Sequence, residues 1–304
     1  MVSAMTKISK QTIATASGAV RVLAGGEPRA PVAVFLHGGT PGITPYCSGA
    51  HIWCDVLARF GHDRRVIALD LPGSGGTALP SGAPTFEALT RAVLETLDAM
   101  AVPQFDLVGH DLGGFVGLAL AIEAPARLRS LSVVASPMAP PIGDRLDDTV
   151  LSAPPLPLWS RESQYWVFDR LSYAHAHIDD GLLDACVEAA AGAAHRGATT
   201  AMDGHGARSL AASVGRARYR MWETCRNEGI QVPTQIVWAS HDPLTSQEAG
   251  FVLFDVIAKK QSAAQFHLIN RAGSFPFREQ PAAFHHVVAA FQDGVMAEGT
   301  THAA

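Results

Sequence analysis

A glycine-flanked aspartate between a short apolar strand and an apolar helix is the feature that most constrains this chain. Residues 105–108 are typical of a buried strand, and the run 112–121 is long and apolar enough for a helix. Between them, Gly109-x-Asp111-x-Gly113 places a small residue two positions to either side of one acidic residue. This spacing predicts a sharp strand-to-helix turn that raises Asp111 at the end of a sheet and directs helix N–H groups at it.

The composition predicts a folded protein with few of the features of nucleic-acid or membrane binding. The chain has 304 residues, 48% apolar and 17% charged, which is enough to bury a large core. A net charge of −5 without a basic cluster argues against nucleic acid as a partner. No signal-peptide pattern and no apolar run of membrane-spanning length are present. We therefore expect a cytoplasmic protein that binds a small molecule, with no membrane contact and with a homodimer left open.

The cysteines give no reason to expect a metal or a disulfide framework. Four cysteines are scattered along the chain, and none forms a CxxC pair. We expect no metal site and no cofactor.

Short apolar runs alternate with helical patterns, which predicts an α/β fold with a doubly wound, mostly parallel sheet. Loose alternation over 11–24 indicates a leading antiparallel hairpin, and apolar residues at spacings of three and four predict an amphipathic helix over 85–100. The further predicted strands are 31–37, 65–70, 105–108, 130–135, 234–240 and 265–270.

The composition changes after residue 137. A proline-rich stretch is followed by helical patterns rich in Ala, His and Arg, without a strand-like run until about residue 229. We expect 138–229 to form a helical cap inserted into a sheet domain made of 1–137 and 230–304. A final helix is expected to begin near Pro281, and the last ten residues are expected to form a solvated tail.

The aspartate elbow and the segment His-Gly-Gly-Thr-Pro-Gly at 37–42 resemble the α/β-hydrolase superfamily, and the resemblance extends over most of the chain. The aspartate at the elbow is similar to the epoxide hydrolase and dehalogenase branches. The 37–42 segment is closer to serine-dependent C–C and ester hydrolases. The resemblance implies the α/β-hydrolase fold with an inserted cap, and a chain order of nucleophile, acid and histidine.

The resemblance implies roles for four residues. Asp111 stands at the nucleophile position, where a helix N-terminus favours an ionised carboxylate that acts as a nucleophile or a general base. A plain N-cap aspartate is the structural alternative. The N–H groups of Gly39 and Leu112 would form the oxyanion hole. Asp242 stands where the orienting acid is expected, and an Asx turn before proline is its structural alternative.

Ser274 holds the position at which the family has its catalytic histidine. Serine does not take a proton from water at neutral pH, so the usual general base is absent. Either Ser274 is an introduced substitution that traps an intermediate, or the natural protein uses Asp111 without attack by water. His110 is expected to point away from Asp111, and His285 and His286 are expected at the surface. We expect Ser274 to point into the cleft near the two aspartates.

The predicted cap is rich in aromatic residues, which we expect to face the elbow across an apolar pocket. Tyr165 and Tyr173 are candidates to protonate a leaving oxygen, as cap tyrosines do in epoxide hydrolases. Trp159, Phe275 and His37 complete the candidate substrate contacts, although His37 is more simply a structural hydrogen-bonding residue than a base. The expected aromatic cluster comprises Trp159, Tyr165, Trp166, Phe168, Tyr173, Tyr219 and Trp222.

Together these features predict a cofactor-free hydrolase of a small or medium apolar organic molecule, with an epoxide, an ester or lactone, or a C–C bond as the target. Dehalogenation is less expected, because Leu112 stands where many haloalkane dehalogenases carry a halide-binding tryptophan. The alternative is a lyase, cyclase or decarboxylase in which Asp111 transfers protons. A non-catalytic ligand receptor on the same fold is a second alternative.

Overall fold

Eight strands form one sheet in the order β1-β2-β4-β3-β5-β6-β7-β8 in the computed structural model, which describes residues 7–141 and 148–302. The strands are β1 (Ile8–Thr15), β2 (Gly18–Gly26), β3 (Val32–Leu36), β4 (Arg65–Leu69), β5 (Phe105–His110), β6 (Leu128–Val134), β7 (Thr234–Ala239) and β8 (Gln265–Ile269). The pairs β1–β2 and β2–β4 are antiparallel, and every later pair is parallel. The predicted hairpin and the predicted doubly wound sheet are both confirmed.

The helices lie on both faces of the sheet. They are α1 (Cys54–Phe60), α2 (Phe86–Ala99), α3 (Leu112–Glu123), α4 (Arg161–Leu171), α5 (Asp180–Ala191), α6 (Ala193–Ala201), α7 (Ala207–Asn227), α8 (Gln247–Ala258), α9 (Pro276–Glu279) and α10 (Pro281–His302). Alternate residues of β3 point to opposite faces, as in any strand. Val34 and Leu36 join a core with α2, α3, α7 and α8, whereas Ala33 and Phe35 join a second core with α1, α4, α5 and α10.

Helix α2 forms where the apolar spacing predicts it. Thr85 precedes the helix in an extended conformation, and its side chain accepts a hydrogen bond from the N–H of Ala88. The residues at spacings of three and four, Phe86, Leu89 and Val93 among them, are buried. Burial of this apolar stripe against the sheet stabilises the helix more than its intrinsic propensity does.

The segment between β6 and β7 has helices as its regular elements in the part that the structure describes. It contains α4 to α7 and no strand within residues 135–141 and 148–233. Residues 142–147 of the expected cap, 138–229, lie outside the described residues. Helices α6 and α7 are separated by a distorted turn in which Asp203 and Gly204 leave the helical conformation. We refer to α4–α7 as the cap.

The C-terminal segment differs from expectation. Helix α10 continues to His302, so most of the last ten residues are helical instead of an irregular tail. His286 is exposed as expected, but His285 is half-buried because its ring packs on Phe60 at 4.6 Å between centroids. The contact could not be predicted from the sequence, because helix α1, which carries Phe60, was not among the predicted elements.

Parallel strands bring the candidate residues to one edge of the sheet. The turn after β3, Asp111 after β5, Asp242 after β7 and the Ser274 loop after β8 all follow the carboxyl ends of parallel strands. This is the edge at which open α/β sheets bind ligands. Within residues 7–141 and 148–302, no helix combines the length and apolar character needed to cross a bilayer. The same residues contain no cluster of three or more acidic, histidine or cysteine side chains able to hold a metal.

Candidate active site

Asp111 sits in a strained turn between β5 and α3. Its φ of 49° and ψ of −118° are unusual for a residue with a side chain, and such strain is typical of functional turns. Neighbouring backbone passes so close that glycine is required at two positions. A Cβ at Gly113 would lie 2.4 Å from the carbonyl oxygen of Leu36, and one at Gly38 would lie 2.4 Å from the Cβ of Asp111.

The Asp111 carboxylate is bound by the glycine-rich turn after β3. The N–H of Gly39 donates to Oδ2 at 2.7 Å, and the Asp111 side chain forms no capping bond to its own helix. The Asp111 backbone is anchored as well, since its carbonyl accepts from the Ser136 hydroxyl at 2.6 Å. Leu112 is the first residue of α3, so its N–H has no acceptor within the helix. The carboxylate therefore contacts one of the two predicted oxyanion donors, and the other belongs to the next residue in the chain.

Ser274 and Asp242 form a direct pair. The Ser274 hydroxyl donates to Asp242 Oδ1 at 2.6 Å, and the N–H of Leu244 donates to the same oxygen at 3.0 Å. Asp242 thus forms an Asx turn and also contacts the residue at the histidine position. Its Oδ2 is buried and has no hydrogen-bond partner among the described residues. Burial, with a smaller contribution from the charge of Asp111, raises the pKa of Asp242 to about 7.

The backbone of Ser274 is fixed from two sides. Its N–H donates to the carbonyl of Leu171 at the end of α4, at 2.7 Å. Its carbonyl accepts from His110 Nε2 at 2.8 Å. Burial lowers the pKa of His110 to about 3, so the imidazole is neutral and can donate from Nε2. His110 therefore supports the Ser274 loop and does not replace the missing base.

Glu279 is a residue of the site that the sequence analysis missed. Its Oε1 accepts from the N–H groups of Gly273 and Phe275 at 2.9 and 3.3 Å, and its Oε2 accepts from those of Tyr173 and Ala174, both at 2.8 Å. One carboxylate therefore joins the Ser274 loop to the cap. An acidic residue two positions before the proline that begins α10 was the available signal.

Tyr46 is the second residue that the sequence analysis missed. Its ring is buried with its edge against Phe168 and Phe275, at centroid distances of 5.3 and 6.0 Å. Burial and then the charge of Asp111 raise the pKa of Tyr46 well above its ordinary value. The group is therefore a protonated phenol within electrostatic reach of Asp111. Its position shortly after the glycine-rich turn was the only sequence signal.

Three expected substrate contacts lie elsewhere. Both ring nitrogens of His37 are used by backbone, since Nε2 accepts from the N–H of Leu71 at 2.9 Å and Nδ1 contacts the carbonyl of Gly38 at 2.7 Å. Tyr165 and Tyr173 are 46% and 44% exposed, and the ring of Tyr173 packs on that of His241 at 4.3 Å between centroids. Phe275, in contrast, is fully buried against Tyr46, where the sequence analysis expected a site residue.

The expected single aromatic cluster does not form. Phe168 packs beside Tyr46, and the ring of Trp159 lies on His195 with its Nε1 donating to the carbonyl of Thr44. The other members lie apart because they sit on different helix faces. Trp222 donates to the carbonyl of Ala139, and Tyr219 is 63% exposed.

Two open spaces adjoin the glycine-rich turn. A narrow cavity lies between this turn and the cap residues Ala189 and His195, and it includes Gly39 and Tyr46 in its wall. A wider groove shares Pro41 with it. Mostly apolar residues line the groove, including Pro80, Pro84, Leu89, Met202 and Leu210. The space next to the site thus runs along the glycine-rich turn rather than toward the aromatic residues of α4.

The raised pKa of Asp242 predicts a specific pH dependence of stability. The folded state binds a proton on Asp242 more tightly than the unfolded state, so this group lowers the free energy of unfolding as pH rises from about 4 to about 7. Asp242→Asn removes this loss. The free energy of unfolding of the variant, measured relative to that of the unsubstituted protein, should therefore rise by about 1–3 kcal/mol between pH 5 and pH 8. One pKa unit corresponds to about 1.4 kcal/mol. Urea unfolding at both pH values measures this, with the exposed Asp55→Asn as control. Parallel pH profiles of the natural sequence and Asp242→Asn would contradict the assignment.

Comparison with known proteins agrees with the fold. A family model described as the alpha/beta hydrolase family matches residues 33–287. The 2-hydroxy-6-oxo-2,4-heptadienoate hydrolase of Pseudomonas putida is 33% identical over 139 residues, which are 45% of this chain and 49% of that protein. The fluoroacetate dehalogenase of Burkholderia sp. is 31% identical over 109 residues, 34% of each protein. The chain spans at most about half the length of these curated relatives.

A solved structure covers nearly the whole chain. The 2-hydroxy-6-oxo-6-phenylhexa-2,4-dienoate hydrolase from Rhodococcus sp. strain RHA1 superposes with a TM-score of 0.72 over 94% of this chain and 99% of that one. The identity of 18% makes this a likeness of fold alone. The family model covers most of the chain. The chain therefore belongs to the alpha/beta hydrolase family and has the alpha/beta-hydrolase fold.

Proposed function

We propose that the protein hydrolyses a small, largely apolar organic molecule, with Asp111 as the nucleophile that forms an ester intermediate. The observation that carries this proposal is the hydrogen bond from the Gly39 N–H to Asp111 Oδ2 at 2.7 Å. It orients the carboxylate at the strained turn and places one of its oxygens at an oxyanion donor. The relatives named as a hydrolase and as a dehalogenase support this reaction class. The apolar groove supports an apolar substrate body.

An epoxide fits these groups best. Asp111 Oδ1 would attack a ring carbon while the C–O bond of the ring breaks, and the leaving oxygen would take the proton of the Tyr46 phenol. Tyr46 suits this role because its raised pKa keeps it protonated. Dehalogenation remains less expected, because Leu112 offers no N–H side chain for a halide.

Water would complete the reaction by attacking the carbonyl carbon of the ester. The negative charge would then develop on Oδ2 and be stabilised by the N–H groups of Gly39 and Leu112, each worth about 3 kcal/mol in such sites. The water gives one proton to the Tyr46 phenolate, the product leaves as a diol, and the Asp111 carboxylate is restored. The Ser274–Asp242 pair offers only weak assistance to this water, since it lacks an imidazole. We therefore expect ester hydrolysis to be the slow step.

Proton transfer is the second candidate function. The buried Tyr46 phenol next to the Asp111 carboxylate is an acid and a base in one apolar site, which suits a lyase, cyclase or decarboxylase. In that case no covalent bond forms at Asp111. The two candidates therefore differ in whether an adduct accumulates.

A covalent adduct on Asp111 tests the first candidate. Incubation with styrene oxide should add the mass of one molecule to the protein, because the slow second step lets the ester accumulate. Peptide mapping should locate it on Asp111, and Asp111→Asn should reduce the rate of modification at least ~10²-fold. Asp242→Asn is the matched control, and it should still form the adduct. Equal modification of the Asp111→Asn variant would remove Asp111 from this role.

Ser274→His tests the role of the missing base. An imidazole next to Asp242 should accelerate ester hydrolysis by about 10²–10⁴-fold, because general-base assistance to water is typically of that size. Ser274→Asn is the control of similar size without a base, and it should give no acceleration. Adding Asp242→Asn to Ser274→His should lower the rate again, since the imidazole loses its orienting partner. If Ser274→His instead abolishes an activity of the natural sequence, proton transfer becomes the better description.

A further inference from the structure

Ser274 connects Asp242 with the turn that carries Asp111. Its hydroxyl donates to Asp242 Oδ1 at 2.6 Å, and its carbonyl accepts from Nε2 of His110, the residue that precedes Asp111, at 2.8 Å. The hydroxyl gives its one proton to Asp242, and a serine oxygen also carries two lone pairs that accept hydrogen bonds. An acceptor of this kind, beside the Asp111 turn, is what a water molecule needs when it attacks an ester there.

The Asp242 carboxylate is suited to receive a proton from Ser274. Its Oδ1 accepts hydrogen bonds from Ser274 and from the N–H of Leu244, whereas its Oδ2 is buried and has no hydrogen-bond partner among the described residues. A buried carboxylate with incomplete hydrogen bonding binds a proton more tightly than an exposed one. With its pKa raised to about 7, Asp242 is as basic as an ordinary histidine imidazole. A carboxylate with an ordinary pKa would be a base about 10³-fold weaker.

The titratable groups around Asp242 leave this basicity in place. Burial is the larger cause of the raised pKa of Asp242, and the negative charge of Asp111 adds to it. His110 is neutral because burial lowers its pKa to about 3, and His241 is exposed. Glu279 accepts from four backbone N–H groups of the cap and the Ser274 loop. Asp111 is therefore the neighbour whose charge changes during the proposed reaction, since its ester is neutral.

We propose that the Ser274 hydroxyl relays a proton from the attacking water to Asp242. The inference rests on the proposed function, because it concerns the hydrolysis of the Asp111 ester. The Ser274 oxygen takes one proton from the water while the Ser274 proton moves to Asp242 Oδ1. The remaining hydroxide bonds to the ester carbonyl carbon.

The relay returns to its starting state at the end of the reaction. When the C–O bond of the tetrahedral intermediate breaks, Asp242 gives its proton back to Ser274, and the Ser274 proton goes to the leaving oxygen of the diol. The second proton of the water stays on the Asp111 carboxyl and then passes to the Tyr46 phenolate. Asp242 and Asp111 are thereby restored as carboxylates, and Tyr46 is restored as a phenol.

The decay of the styrene oxide adduct tests the relay. The adduct is separated from free epoxide, transferred to buffers between pH 5 and pH 8, and followed by intact-protein mass. The decay rate of the unsubstituted protein divided by that of Asp242→Asn should rise from about 1 at pH 5 to about 10 at pH 8. This is less than the ~10²–10⁴ of a directly placed base, because the proton passes through a hydroxyl. The midpoint should lie slightly below the pKa of about 7, since the ester removes the charge of Asp111.

Two further variants separate the relay from a structural role. Ser274→Ala removes the hydroxyl but not the backbone bonds of residue 274, so its adduct should decay as slowly as that of Asp242→Asn. Ser246→Ala is the matched control, because Ser246 Oγ is buried in the loop after β7 without a hydrogen-bond partner among the described residues. Its adduct should decay like that of the unsubstituted protein. A merely structural role of the Ser274–Asp242 pair would change the decay rate by the same factor at every pH.

A rate ratio that does not change between pH 5 and pH 8 would overturn the relay. Equal decay of the unsubstituted protein and Asp242→Asn would also overturn it, and would assign the proton of the water to the Tyr46 phenolate alone. Decay of the Ser274→Ala adduct at the unsubstituted rate would remove Ser274 from the path. Absence of any adduct on Asp111 would overturn the proposed function and the relay together, whereas an adduct whose decay does not depend on Asp242 would contradict the relay alone.

Discussion

The hydrogen bond between the Gly39 N–H and the Asp111 carboxylate is the contact on which the rest of the site depends. It joins the turn after β3 to the turn after β5, two strands that pair directly in the sheet. The two turns lie so close together that a Cβ at Gly38 would overlap the Asp111 side chain. The strained backbone of Asp111 is held in place by this contact and by the packing of α3 on the sheet. The carboxylate is thereby fixed at the edge of a rigid core.

The loop that carries Ser274 is held by hydrogen bonds to its backbone, and no catalytic imidazole takes part. Glu279 binds four N–H groups from the cap and from the loop that carries Ser274. His110, neutral because it is buried, supports the same loop. The loop therefore keeps Ser274 against Asp242 without a histidine. The serine at this position gives Asp242 a hydroxyl in place of an imidazole, and the surrounding hydrogen bonds still hold the loop.

The parts of the site that follow strand ends could be predicted from the sequence. Short apolar runs mark the strands, and in a parallel sheet the residues after them must meet at one edge, which brings Asp111, Asp242 and Ser274 to that edge. Tyr46 and Glu279 could not be found in this way. They lie in loops and in a short helix, where no periodic pattern constrains the direction of a side chain. The cap aromatics were predicted to be one cluster because residue type alone does not specify which face of a helix each one occupies.

The path of oxygen from water tests the central claim, that Asp111 is a nucleophile, most directly. A single turnover of styrene oxide in H₂¹⁸O can be followed by mass analysis of both the diol and the peptide that contains Asp111. Water attacks the ester carbonyl in our account, so the label should appear in the Asp111 carboxylate and the first diol should carry unlabelled oxygen from Asp111. Label in the diol with none in Asp111 would show that water attacks the substrate directly, which would contradict the account.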